Sequence, residues 1–143
     1  MGDEKPLLTY DAVEVGQALG PISYRVEPEL VRTHLEALGL GVPRFLVDPA
    51  SGTLLIDPTV LLRNHIRLLR SRFRAEGALH ARTEVSLLRA ARSGQTVTVT
   101  GRVADKYERR GRAWIVVDST TSDEEGREIS RARDTLALPT RSA

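Results

Sequence analysis

The sequence predicts an α+β fold, a curved antiparallel β-sheet wrapped around one long helix. Three observations lead there. Leu62, Ile66, Leu69 and Phe73 recur at i, i+4, i+7 and i+11, the spacing of a single helical face. From Leu79 onward the apolar period drops to two, through strand-like segments separated by Ser93-Gly94, Arg109-Arg110-Gly111 and Asp123 to Gly126. The chain has 143 residues, 41% hydrophobic and 28% charged, which suits one globular domain with a real core. That domain is expected to span residues 1–143, with short flexible ends at about 1–8 and 140–143.

In chain order, a lead-in from Tyr10 to Gly20 precedes a short strand over Pro21 to Val26, where Ile22, Tyr24 and Val26 alternate with polar residues. Pro28 and Glu29 open a helix carrying Leu30, Val31, Leu35 and Leu38, which Gly39 and Gly41 stop. A loop punctuated by proline and glycine runs from Leu40 to Asp57. Asp57 is placed to cap the next helix and Pro58 to occupy its first turn. That helix reaches Phe73, about 25 Å at ~1.5 Å per residue, with Val60, Leu61 and Leu68 widening its apolar stripe. Arg63, Arg67, Arg70 and Arg74 repeat the spacing one residue later.

Beyond Gly77, Leu79, Ala81, Val85 and Leu87 are expected on one strand face and His80, Arg82, Glu84 and Ser86 on the other. Val97, Val99 and Val103 mark a second strand, Trp114 to Val117 a third and Arg127 to Leu138 a fourth. Three strand-turn-strand steps in succession imply an antiparallel meander. A long helix with one apolar stripe and a curved sheet satisfy each other when the sheet wraps the helix, the hot-dog arrangement.

Composition excludes several classes. With no cysteine there is no disulfide and no thiolate metal site. Aromatics at 4% argue against a base-stacking platform. No apolar run approaches the ~20 residues of a membrane span and the first residues are short and acidic, so a cytoplasmic protein without cofactor or metal is expected. The formal charge is +2, and Lys5 and Lys106 are the only lysines. Nearly all the positive charge is therefore arginine, whose planar fork suits phosphate and carboxylate.

From about Tyr10 to Pro139 the chain resembles the MaoC-like hydratase/dehydratase branch of the hot-dog superfamily, its N-terminal-type half in particular. The likeness rests on Leu79-His-Ala-Arg-Thr-Glu-Val through Arg89, Gly94-Gln-Thr-Val, Tyr107-Glu-Arg-Arg-Gly-Arg-Ala-Trp and Asp123-Glu-Glu-Gly-Arg-Glu-Ile. The family places its chemistry in a motif Gly-Asp-x-Asn-Pro-x-His-x-x-Asp after the first helix, whose Asp and His handle protons and water at the α,β-bond of an acyl thioester. The matching stretch here is Gly39-Leu-Gly-Val-Pro-Arg-Phe-Leu-Val-Asp48. Gly39, Pro43 and Asp48 agree with it. Leu40 replaces the acid, Val42 the asparagine and Phe45 the histidine. Neither an aliphatic nor a phenyl group transfers a proton, and such help is typically worth about 10²–10⁴-fold. The resemblance therefore implies an acyl-thioester-binding protein with coenzyme A or an acyl carrier as part of its substrate. It would be the non-catalytic subunit or half of an (R)-specific enoyl-CoA hydratase or 3-hydroxyacyl dehydratase, paired as a homodimer or with a catalytic hot-dog partner.

Leu40, Val42 and Phe45 are the expected acyl-contacting residues. Arg82, Arg89, Arg109, Arg110 and Arg112 are the candidates for phosphate. An alternative is an active hydratase using displaced groups, for which His34, Asp48 and His65 are the candidates. A thioesterase is opposed by the absence of any acid from Thr59 to Arg74. A nucleic-acid binder using the Arg63/Arg67/Arg70/Arg74 row is opposed by near-balanced charge and the lack of any known binding motif.

Overall fold

The capping expectation at Asp57 is met: its carboxylate accepts from the Thr59 amide at 3.0 Å, and Pro58 follows. The computed structural model describes residues 4–139. In it the segment beyond Asp57 is not one continuous α-helix. Pro58–Arg63 form a 3-10 turn, and only Asn64–Arg72 (α2) are α-helical. The Thr59 hydroxyl also binds Asp57, and the β-branched pair Thr59-Val60 disfavours a relaxed first turn.

Five strands surround α2: β1 (Ala18–Arg25), β2 (Leu79–Leu87), β3 (Thr96–Arg109), β4 (Arg112–Ser122) and β5 (Glu128–Ala137). They form one antiparallel sheet in the order β1-β3-β4-β5-β2. The hot-dog arrangement is therefore present, but the expected four-strand meander is only three strands long. β1 already pairs with β3, so β2 lies on the far edge against β5. The chain returns from β2 to β3 through 88–95, held by Ile56 N–H to Ala91 O, Ser93 N–H to Leu54 O and Gly94 N–H to Val26 O.

The helix sits close against the sheet because two strands omit a side chain beneath it. A Cβ built on Gly20 would lie 2.8 Å from Leu68 Cδ2, and one on Gly101 would lie 2.7 Å from Leu68 Cδ1. Leu68 fills that hole and is fully buried with Leu69, Val99, Val103, Ile115 and Val117. The buried face of α2 is thus turned from the expected stripe. Asn64, His65, Leu68, Leu69 and Phe73 are inside, whereas Leu62 and Ile66 are only half-buried at the rim.

A second apolar group closes one end of the core around helix α1 (Pro28–Ala37), through Val31, Leu35, Leu46, Ile56 and Leu61. Helix α1 ends with Gly39 at φ 72° and the Leu40 amide bonded back to Leu35 O at 2.9 Å, so glycine is the residue the turn requires. Residues 5–8, expected to be flexible, are instead docked on the end of α2. Arg74 N–H donates to Pro6 O, Leu8 N–H donates to Arg74 O, and Leu8 is fully buried. The expected flexible residues 1–3 and 140–143 lie outside the described residues. Among the described residues no helix is long and apolar enough to cross a membrane.

Replacing Gly101 by alanine should force a side chain into the space of Leu68 and the Asp118 carbonyl, costing about 1–3 kcal/mol. Leu68→Ala should cost about 2–5 kcal/mol by leaving a cavity. Urea denaturation of both variants checks the pair. An unchanged midpoint for Gly101→Ala would contradict the close helix–sheet approach.

Candidate functional site

The loop after α1 is shaped by two anchors. Leu46, in a short 3-10 turn over Arg44–Leu46, is buried, and this throws its neighbour Phe45 outward with 78% of its surface exposed. Asp48 closes the other end: it accepts from the Ala50 amide at 3.0 Å and pairs with Arg92 at 2.8 Å. The Ala50 amide, with help from the Ser51 hydroxyl and the Arg92 guanidinium, holds the Asp48 carboxyl below the usual range. Asp48 is therefore fixed as a turn and ion-pair residue. Leu40 and Val42 are exposed like Phe45. An open, mainly apolar cleft of about 360 Å³ lies beside Phe45, walled by Leu55, Pro58, Leu61, Leu87 and Leu88, with Arg89 also on its lining.

Arg89 is the one phosphate candidate brought to this cleft. Arg82 lies along β2, bonded to Glu84 at 2.7 Å. Arg109, Arg110 and Arg112 form the β3–β4 hairpin, whose two-residue turn has φ 53° at Arg110 and 73° at Gly111. Leu87 is level with Thr121 across β5, so that hairpin stands about 30 Å from the cleft within one chain, at ~3.3 Å per residue.

His34 is tied down. Its Nε2 lies 2.6 Å from the Thr59 hydroxyl, which itself donates to Asp57, so the imidazole bridges α1 to the capping turn. The arginine row divides as well. Arg67 stacks over the Tyr24 ring at 4.2 Å, and Arg74 Nε donates to Lys5 O. Arg63 and Arg70 edge a second cleft of about 390 Å³ between α2 and β2.

That second cleft contains what the sequence reading missed. His65, named as a candidate displaced group, is only 4% exposed and lies beside His80 and the buried Asp134, which is 1% exposed. His80 Nε2 is 2.9 Å from Asp134 Oδ1, His65 Nδ1 is 3.5 Å from it, and the Thr83 hydroxyl donates to it at 2.6 Å. The imidazole rings are 4.4 Å apart. The expected alternation in β2 fails here because a register shift between His80 and Arg82 turns His80 inward, and most of this edge strand, Val85 and Leu87 included, is exposed. A carboxylate or carbonyl accepts, so His80 presents its Nε2–H to Asp134 while the His65 Nδ1–H goes to the Leu62 carbonyl at 3.1 Å, and each ring keeps its other nitrogen as an acceptor. Two imidazoles on a buried carboxylate can relay protons or, as an N₂O donor set, hold a divalent ion. Nothing in sequence spacing joins positions 65, 80 and 134. The β2–β5 pairing, with Thr83 opposite Asp134, brings 80 to 134, and the seating of α2 against the sheet brings 65.

With the fold and both clefts described, comparison with known proteins becomes informative. A family model described as "FAS1-like, dehydratase domain region" matches residues 13–132. The chain belongs to this family. Its hot-dog fold is shared by a MaoC-like dehydratase from Rhodospirillum rubrum at 20% identity and TM-score 0.71, covering 95% of this chain and 99% of that one. It is shared too by the (R)-hydratase from A. caviae involved in PHA biosynthesis, at 19% identity and TM-score 0.73, covering 90% and 98%. A third similar structure is the HadBC (3R-hydroxyacyl-ACP dehydratase) complex from Mycobacterium tuberculosis, at 16% identity and TM-score 0.71, covering 86% and 96%. No curated protein matches the sequence at a significant level. The resemblance to MaoC-like proteins read from the sequence is thereby borne out.

Burial lowers the His65 pKa from its ordinary value. Asp134 opposes the shift, while His80 adds to it. The unfolded chain therefore takes up this proton first as pH falls below about 6.5, and the stability from a neutral buried ring, present above that value, is lost toward the lower folded pKa. Denaturation midpoints should fall between about pH 7 and 5, and His65→Asn should flatten that slope. An equal slope in both proteins would remove His65 as its source.

Proposed function

We propose that this chain is an acyl-thioester-binding subunit of the (R)-specific enoyl-CoA hydratase or 3-hydroxyacyl dehydratase class, one that supplies no acid–base pair from its own loop. One observation carries the reading. Leu40, Val42 and Phe45 are solvent-exposed where the family's motif has polar, proton-handling residues, and Phe45 adjoins an apolar cleft. Exposed apolar residues on a folded loop are suited to contact with an acyl chain or another subunit. Arg89 on the same cleft is available to a thioester's phosphate, from coenzyme A or an acyl carrier protein. The subunit's partner is a hot-dog domain, either a second copy or one that keeps the Asp and His. The similar HadBC dehydratase is itself a complex.

The purified chain should bind a saturated acyl-CoA but hydrate trans-2-enoyl-CoA only when a dyad-bearing hot-dog partner is added. Phe45→Asp should weaken acyl-CoA binding roughly tenfold, as about 1.5 kcal/mol of apolar contact is lost. Brisk hydration by the chain alone defeats the non-catalytic assignment, and unchanged binding in Phe45→Asp defeats the cleft.

A second reading, an active enzyme with displaced groups, is favoured by the His65–His80–Asp134 cluster beside its own cleft. It narrows the displaced candidates to His65, since His34 and Asp48 are held in structural contacts. In that case His65→Ala and His80→Ala would each lower hydration about 10²–10⁴-fold and change its pH profile. Retained activity in both variants eliminates it.

A further inference from the structure

We propose that His65, His80 and Asp134 form a binding site for a divalent ion of the zinc class, with one coordination position open to the cleft between α2 and β2. The proposal stands on these three side chains and depends on neither thioester reading.

The ligands are held from three elements. His65 is carried by α2, whose rotation is fixed where Leu68 is seated against Gly20 and Gly101. His80 comes from β2 and Asp134 from β5, and the two strands pair through this stretch. The Thr83 hydroxyl, bonded to Asp134 Oδ1 at 2.6 Å, orients the carboxylate from β2 as well. A metal site needs ligands of this kind, set on packed elements and oriented by hydrogen bonds of their own.

The spacing suits an ion. Around zinc, bonds of ~2.0–2.2 Å at tetrahedral angles set neighbouring donor atoms about 3.3–3.6 Å apart. Asp134 Oδ1 stands 3.5 Å from His65 Nδ1 and 2.9 Å from His80 Nε2, and a donor atom from each of the three residues lies within 4.8 Å of the others. His80, with 39% of its side chain exposed on an edge strand, is the ring best placed to turn and close the set. On binding, His65 Nδ1 gives up the Leu62 carbonyl, and the proton of each ring moves to its other nitrogen.

Charge points the same way. Among the described residues the partners of the buried Asp134 carboxylate are the two imidazoles and the Thr83 hydroxyl, with no lysine or arginine. Burying a carboxylate is costly unless a countercharge compensates. A neutral imidazole offers it a hydrogen bond but no charge, and a dication supplies what is lacking. The lack of cysteine excludes thiolate sites alone. Two imidazoles and one carboxylate are a ligand set of zinc sites that keep a fourth position open. Arg63 and Arg70 edge the same cleft and oppose a bare cation. The expected dissociation constant is therefore roughly micromolar, weaker than that of structural zinc.

The experiment is a calorimetric titration of the full-length, chelator-stripped chain with zinc alone, repeated with cobalt(II) to read the geometry from its visible spectrum. One ion should bind per chain, cobalt should show the intense bands of a four-coordinate site, and zinc should raise the denaturation midpoint. His80→Ala and Asp134→Asn should each lower zinc affinity at least ~100-fold, at or above the upper end of what losing a supporting partner costs. His34→Ala, which removes the third histidine of the chain, should bind zinc like the parent. Magnesium, which prefers an oxygen shell, should not compete. One variant lies at the rim and the other is a near-isosteric change in the interior, so the test survives the misfolding of either, which circular dichroism detects. No saturable zinc binding, unchanged affinity in a folded His80→Ala or Asp134→Asn, or loss of binding in His34→Ala would each overturn the proposal.

Discussion

The contact on which the rest depends is Leu68 set against Gly20 and Gly101. A helix can lie in the concavity of a sheet only if the backbones approach closely, and here two strands give up their side chains at that point. Once Leu68 is seated, the rotation of α2 is no longer free. Positions three and four residues earlier must point inward too, and these are Asn64 and His65, both polar. Their burial requires hydrogen bonds. Asn64 accepts from the Tyr24 hydroxyl at 2.6 Å and donates to Thr121 at 2.8 Å, while His65 faces the Leu62 carbonyl and Asp134.

The same constraint separates the two clefts by chemistry. Toward α1 the wall is Leu55, Pro58, Leu61 and Leu88, with Phe45 of the loop after α1 beside it. Toward the start of β2 the wall carries His65, His80 and Thr83 beside Arg63 and Arg70. Both clefts border the edge strand β2, at its two ends. The cleft beside Phe45 lies at one end of that edge, and the histidine cluster lies at the other.

Much of this was legible in the residues. The 3.6-residue spacing after Asp57 and the two-residue spacing after Leu79 were enough for the helix, the strands and the wrapped arrangement. Val97, Val99 and Val103 are fully buried as their alternation required. The exposed positions of Leu40, Val42 and Phe45 were not legible, because an apolar residue in a loop reads the same whether it faces core or solvent. β2 misled for a related reason. Its alternation promised one buried face, but an edge strand with a bulge after His80 has little to bury against within one chain.

The sequence by itself determined the strands after Leu79, the capped helical segment after Asp57, and the apolar character of Leu40 and Phe45. Those follow from local periodicity and from the chemistry of single side chains, which need no neighbours to be read. Which strand lies beside which, how far α2 is turned, and that His65, His80 and Asp134 meet were decided by tertiary structure alone. Each of these is a pairing between segments distant in the chain, and shared burial fixes such pairings where spacing along the sequence does not.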